Sequence, residues 1–316
     1  PITPPDSSLC VGNNFVISSA NTVIKIWTRN GQVVREAENL GGFFGYYFTP
    51  DHRYDLSWFD PQCAYDPLSD RFFIVAGAIV HPSAPTFFSA SFLFIAVNTN
   101  PKDVSQWTVS SINTTHICHP SYKSIRSCPN YDDFPQLGFN HDIVVISTNM
   151  YGWGSYPARV VGSYTSGRAW CISKKSLLKG GHHLSSYGPS TNPPLKLQYF
   201  YSKDLGGWYS VRFAVQPPGE PGYTDNGGAI FGLMNLASQS GLVTVVISNT
   251  RSIDDDVPAL KISSTSLLQG RSAWGVPLSA PQPNGQKASA LNGQCLKAHL
   301  QANSLYAGDG RVGAVY

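Results

Sequence analysis

The chain has 316 residues, only 13% of them charged against a usual share of ~25%, while Gly (29) and Pro (23) are plentiful and aromatics reach 12%. Its net charge is +3 and its Lys and Arg residues are scattered, with Lys174-Lys175 the one adjacent basic pair, so the concentrated basic stripe of a nucleic-acid binder is missing. The longest apolar run, residues 72–80, falls far short of the ~20 residues a membrane helix needs, and 42% hydrophobic content is too much for a disordered chain.

Few charges, many turn residues and many aromatics suit short strands joined by tight loops, the composition of an extracellular β protein. Helical periodicity is almost absent. In chain order, residues 14–20 and 22–28 read as a hairpin, with Asn30-Gly31 as the next tight turn. Residues 41–58 read as a loop. Residues 71–79 form a buried apolar strand and 92–98 another, with 107–112 alternating as an outer strand. Residues 142–150 are a second very apolar strand, 168–173 follow the Ser166-Gly167 turn, and 174–178 read as a short helical turn before Gly180-Gly181. Strands are expected again at 208–215, 229–233, 242–248, 295–300, 304–307 and 312–316. The last of these ends the chain inside a strand, which fits either a ring closed by the N-terminal segment or a piece of a longer polypeptide. The opening Pro-Ile-Thr-Pro-Pro, with no initiator Met, reads as a processed or trimmed start.

One unit recurs. Asp60-Pro61-Gln62 leads through Tyr65-Asp66 and Asp70-Arg71 into the apolar strand at 72–75, and about seventy residues on Asp133-Phe134-Pro135-Gln136 leads through Phe139-Asn140 and Asp142 into the apolar strand at 143–146. Repetition at this spacing predicts a repeat architecture, an all-β propeller of about six or seven blades at roughly 40–50 residues each, formed by residues 1–316 as one domain. A pair of two-sheet sandwiches is the structural alternative.

These blocks, with Asp6-Ser7-Ser8, Phe43-Phe44-Gly45, Ile95-Ala96-Val97, Asn149-Met150-Tyr151, Leu177-Leu178 and Ala280-Pro281-Gln282-Pro283, resemble a family of secreted β-propeller proteins of mostly unassigned function, common among bacterial exported and cell-surface sequences. The resemblance implies a propeller and an extracellular or cell-surface setting, and it transfers no catalytic residue. Cys63 and Cys171 stand where the family pattern leads one to expect ordinary apolar residues.

Six cysteines, at 10, 63, 118, 128, 171 and 295, favour disulfides in a secreted chain, with Cys118–Cys128 across a polar loop the first pair and Cys10–Cys295 the second; free core cysteines are the other reading. Asn113-Thr114-Thr115 is an N-glycosylation sequon. Asp60, Asp66, Asp133 and Asp142 are expected to fix turns by accepting backbone N–H bonds, with Arg71 bridging to one of these carboxylates. A Ca²⁺ site or a catalytic carboxylate pair is the competing use of the same groups; the expectation is no cofactor and no metal, Ca²⁺ being the one candidate. His116, Cys118, His119 and Cys128 do not have the spacing of a closed zinc site, and Asp254-Asp255-Asp256 reads as a solvated turn.

Loop aromatics are the better functional lead. Tyr46, Tyr47, Tyr54 and Trp58 crowd one loop, and Tyr151, Trp153 and Tyr156 another. They form a local core beneath a loop, anchor a protein interface or stack on sugars. The functional expectation is a non-enzymatic extracellular scaffold or adhesion module whose partners are other protein subunits or copies of itself in a surface assembly or filament. A carbohydrate-binding propeller, with glycans as partners, and a polysaccharide-active enzyme are the alternatives.

Overall fold

The computed structural model describes residues 6–44, 54–82, 90–115, 130–153, 161–180, 183–184, 195–205, 211–215, 228–235 and 241–269. Strand β1 (Ser7–Val11) begins a meander continued by β2 (Phe15–Ala20), β3 (Val23–Thr28) and β4 (Val33–Asn39), and these pair in chain order as a four-stranded antiparallel sheet. The alternation in β2 buries Phe15, Ile17 and Ser19 and leaves the residues between them half-exposed, as the period of two requires. Its turns sit where the residue type permits left-handed backbone, at Asn21 (φ 48°) and Gly31 (φ 88°). Helix α1 (Leu40–Phe44) follows where a loop was expected; burial of Leu40, Phe43 and Phe44 and a bond from the Gly42 N–H to Asn39 Oδ1 at 2.6 Å hold it despite two glycines.

The second sheet is built by β5 (Tyr54–Asp66), β6 (Arg71–Pro82), β7 (Ala90–Asn100) and β8 (Asp103–Asn113). The third is built by β9 (Asn130–Phe139), β10 (Ile143–Trp153) and β11 (Val161–Ser173), after which comes helix α2 (Lys174–Lys179), capped by Ser173 Oγ accepting from the Ser176 N–H. The two-residue β12 (His183–Leu184) then returns to the second sheet and pairs parallel with β8, before β13 (Leu197–Tyr201) completes the third sheet beside β11. The fourth consists of β14 (Arg212–Phe213), β15 (Ala229–Asn235), β16 (Gly241–Ser248) and β17 (Lys261–Gln269). The architecture is all-β. The leading strands begin at Ser7, Tyr54, Asn130 and Arg212, so the later sheets use more chain than the roughly 40–50 residues expected per unit. Strands of 11–13 residues account for much of the excess.

Each sheet places its leading strand at one edge, and the leading strands meet in sequence: β1 packs on β5, β5 on β9, and β9 on β14. Between successive sheets lie three apolar layers. Ile17, Ile26, Phe72 and Phe94 belong to the first, Phe73, Val75, Ile146 and Trp170 to the second, and Val145, Cys171, Ile230 and Ile247 to the third. Strand β6 therefore sends Phe72 and Ile74 one way and Phe73 and Val75 the other. This two-sided burial is why β6, β7 and β10 read as unbroken apolar runs.

A disulfide joins Cys10 on β1 to Cys63 on β5. It replaces the expected Cys10–Cys295 pair, because the contact of the leading strands brings positions 10 and 63 together. Cys171 is a free thiol buried in the third layer. Cys118, Cys128 and the strands expected after residue 269 lie outside the described residues.

Where β9 meets the segment around β14, Gly138 leaves no room for a side chain: a Cβ there would lie 2.5 Å from Phe213 Cβ and 2.8 Å from the Phe213 carbonyl oxygen. Backbone cannot swing aside as a side-chain tip can. Gly138→Ala is expected to lower unfolding free energy by about 1–3 kcal/mol, read as a reduced urea midpoint with unchanged slope.

Candidate functional site

The recurring unit has a three-dimensional counterpart, displaced by one residue from its sequence alignment. Asp6, Asp60 and Phe134 all adopt left-handed backbone, with φ of 29°, 51° and 53°. Each stands six residues before the turn position occupied by Gly12, Asp66 and Asn140, respectively. The Asp60–Pro61 and Phe134–Pro135 steps are bulges, marked by register shifts in β5–β6 and in β9–β10. Asp60 thus corresponds to Phe134, and Asp133 is an additional carboxylate beside it.

Because the leading strands converge, three carboxyls meet. Asp6 is hydrogen-bonded to Asp60, and Asp60 to Asp133. The Phe134 N–H donates into the group, and the Asn21 side chain supports Asp6. Burial, reinforced by the neighbouring carboxyl, pushes Asp6 up to about 7 and Asp60 up to about 8; burial raises Asp133 as well. Tyr131 beside them is raised by burial and then by the Asp133 charge. Carboxyls bonded to each other must share protons, so the cluster carries less than its formal charge near neutrality. A single hydrogen bond separates each pair, whereas a glycosidase pair stands ~5 Å or more apart to leave room for the sugar or water. Among the described residues, no group of three or more His, Cys, Asp or Glu side chains has the geometry to hold a metal ion.

Asp66 and Asn140 serve as turn-fixing residues. Asp66 accepts from the Leu68 and Ser69 N–H groups and from Ser69 Oγ; Asn140 Oδ1 accepts from the Asp142 and Ile143 N–H groups, each at 3.0 Å. Both also tie their sheet to the next one. Lys174 Nζ, at the start of α2 directly after the third sheet's β11, donates to Asp66 Oδ2 at 2.9 Å, while Asn140 Nδ2 donates to the Ala229 carbonyl of the fourth sheet and to Thr250 Oγ1 just beyond β16. Asp142 accepts from Thr250 Oγ1 at 2.7 Å. Burial pulls Lys174 down, with Asp66 opposing. The bridging role expected of Arg71 is therefore filled by Lys174. Arg71, at the strand start, curls back to donate to the Ser69 and Asp70 carbonyls instead.

A second buried pair gave no sequence signal. Arg168 Nη1 lies 3.1 Å from Asp132 Oδ2, Thr148 Oγ1 donates to Asp132 Oδ1 at 2.6 Å, and the guanidinium rests among Trp170, Tyr199 and Tyr201. Asp254, read from sequence as part of a solvated turn, accepts from Ser173 Oγ at 2.6 Å, and Lys196 Nζ donates to the Asp254 and Asp255 carbonyls.

The aromatic candidates divide. Trp58 stacks on Phe44 with centroids 5.1 Å apart and packs on Phe94 at 4.6 Å, so it is half-buried against the core under α1. Tyr151 stacks on Tyr131 and meets Tyr164 edge-to-face, each at 5.7 Å, and remains half-exposed. Tyr54 and Trp153 lie on β5 and β10, opposite Pro82 and Val161. Tyr46, Tyr47 and Tyr156 lie outside the described residues, as do His116 and His119. Asn113 is 8% exposed, its Oδ1 accepts from the Thr115 N–H at 3.0 Å, and Thr114 and Thr115 are buried with it.

Comparison with family models, with curated proteins and with solved structures finds no match.

Two outcomes follow from this geometry. Raised carboxyl pKa values mean that the cluster's contribution to stability is full below about pH 4 and is lost as pH rises through about 7 to 8. Asp60→Asn retains the left-handed backbone and removes the central acid. Its urea midpoint is expected to fall less than that of the wild type between about pH 5 and pH 8; an equal fall would mean that the carboxyls do not share protons. Lys174→Ala leaves Asp66 buried without its cation and is expected to cost about 3–5 kcal/mol, measured by equilibrium unfolding, with much of the loss recovered in the double variant carrying Asp66→Asn.

Proposed function

We propose that this chain is a β-propeller-type scaffold or adhesion module working outside the cell or at its surface, through protein contacts rather than a reaction centre. The radial reading is supported by four consecutive sheets whose leading strands touch in chain order. The Cys10–Cys63 bond suits an oxidising compartment. No helix among the described residues is long and apolar enough to cross a membrane.

The observation that carries the proposal is the outer face of the first sheet. Cross-strand pairing aligns Val11, Val16, Trp27 and Val33 in one row across all four strands. Val11 and Val33 are 46% and 45% exposed, and Leu9 on the same face is 51% exposed. At the three interfaces between sheets, comparable aliphatic faces are covered by the next sheet. Among the described residues β4 is an edge strand; it carries Arg35, Glu36 and Glu38, with Lys25–Glu36 paired at 2.9 Å, and these charges discourage strand addition. The face, not the edge, is the contact surface, and its occupant is another copy of this chain.

Light scattering across a concentration series tests this reading. The wild type is expected to self-associate, and Val11→Glu with Val33→Glu to run as a monomer of 34.3 kDa. A wild type that stays monomeric at every concentration would overturn self-assembly and direct attention to a glycan array.

A further inference from the structure

The seam between β1 and β5 is fastened in two chemically different ways within a few residues. Asp6, just before β1, is hydrogen-bonded to Asp60 on β5, and Cys10 on β1 is bonded covalently to Cys63, three residues beyond Asp60. Alongside these fastenings Ser8 Oγ accepts from the Cys63 N–H at 3.0 Å, and Ser19 Oγ on β2 donates to the Pro61 carbonyl at 3.4 Å. Past Cys10, Gly12 approaches so closely that a Cβ there would sit 2.5 Å from Phe72 Cζ and 2.7 Å from Tyr65 Cδ2. Cys10 and Cys63 are both buried and belong to the first apolar layer. A reductant must reach one sulfur of a disulfide, so the rate of reduction depends on access. Here β1 has to part from β5 first.

What resists that parting changes with pH. A neutral carboxyl donates a hydrogen bond and accepts others, so Asp6 and Asp60 hold each other while a proton lies between them. Once both are ionised each is an acceptor only, and the two charges repel. The titratable groups around the pair are themselves acidic: Asp133 bears on Asp60, Asp132 bears on Asp133, and Tyr131 stands beside them. Asn21 and the Phe134 N–H are neutral donors. None of these groups brings a positive charge to hold two carboxylates together.

We propose that the carboxyls of Asp6, Asp60 and Asp133 form a proton-operated latch over the Cys10–Cys63 bond: while they share protons the seam stays shut and the disulfide is shielded, and when they ionise β1 parts from β5 and the disulfide becomes reducible. Burial sets the direction, since it raises all three carboxyls, Asp6 to about 7 and Asp60 to about 8. In the opened seam an exposed Asp titrates near its ordinary value of about 4, so opening becomes easier as pH rises from about 4 and levels off above about 8. The covalent tie is thus protected in acid and open to reduction in neutral to alkaline surroundings. The latch does not depend on self-association through the first sheet.

Reduction by a water-soluble trialkylphosphine tests it. Phosphorus attacks one sulfur and expels the other as a thiolate, which takes a proton; water then displaces the second thiol and leaves the phosphine oxide. Phosphorus supplies both electrons. Alkylation and peptide mass mapping of Cys10 and Cys63 give the rate, divided at each pH by that for oxidised glutathione. The normalised wild-type rate is expected to rise by about tenfold or more from about pH 5 to about pH 8 and then level off, and to be insensitive to low urea. Asp60→Asn keeps a residue suited to left-handed backbone and removes the central acid, and its rate is expected to rise by about threefold at most over the same range. Equal rises in the wild type and Asp60→Asn would overturn the latch, as would a wild-type rate that does not change with pH. A rate that grows with urea in step with global unfolding would overturn it too, because a local seam opens while the rest of the fold stays closed. Should Asp60→Asn fail to fold, Asp6→Asn takes its place, and an undiminished rise in that variant would overturn the proposal alone.

Discussion

The close approach of the leading strands is the constraint on which the other features depend. β1, β5 and β9 come near enough for carboxyls on three different sheets to hydrogen-bond one another, and near enough for Cys10 and Cys63 to share a covalent bond. At the same approach, β9 can admit the β14 segment only through a glycine at position 138. A left-handed residue recurs at each of the first three leading strands; in β5 and β9 it marks a bulge that turns the strand while its neighbours stay paired, and at β1 it stands just before the strand begins. The carboxyls are expensive in this setting. Their raised pKa values register the cost of crowding acids where water is scarce.

Away from the leading edges, aliphatic layers supply most of the cohesion and polar ties supply registration. Apolar faces alone would tolerate sliding of one sheet over the next. The turn residues prevent it, because Asp66 and Asn140 each organise their own hairpin and reach a specific donor or acceptor on the following sheet. The same residue thus fixes a local turn and a long-range alignment. Asp132 and Arg168 work within one sheet, where the guanidinium joins a cluster of aromatic rings to a carboxylate.

What the sequence disclosed follows from how local each signal is. Two-sided burial makes β6, β7 and β10 legible as apolar runs, and Gly180-Gly181 beyond residues 174–178 marks α2 as a short helical turn. The repeat was visible too, but aligning its acidic residues placed Asp133 against Asp60. The Pro-Gln dipeptides at 61–62 and 135–136 give the correct frame, with Phe134 in the position of Asp60. Helix α1 was hidden by Gly41-Gly42, whose poor helix propensity is overridden by the burial of Leu40 and Phe44. Pairings set by the approach of distant strands were not legible. Six cysteines permit fifteen connectivities, and nothing local ties Cys10 to Cys63 or Arg168 to Asp132. Arg212 and Gln136 carry no motif either. What distinguishes them is that the buried Arg212 Nη1 and Nη2 and Gln136 Nε2 have no hydrogen-bond partner among the described residues, which only a three-dimensional arrangement can reveal.

The smallest strand has a consequence for the order of assembly. β12 comes from residues synthesised after β11, yet it pairs with β8 at the outer margin of the second sheet. As the chain emerges from the ribosome, that sheet stays unfinished until the third has been largely made. Its margin at β8 lies open to pairing in the interval, and closing it requires the growing chain to fold back over completed structure. The second and third sheets thereby become a single kinetic unit, interlocked by two residues, and a nascent chain halted between β8 and β12 would present the bare β8 margin as its point of vulnerability to aggregation.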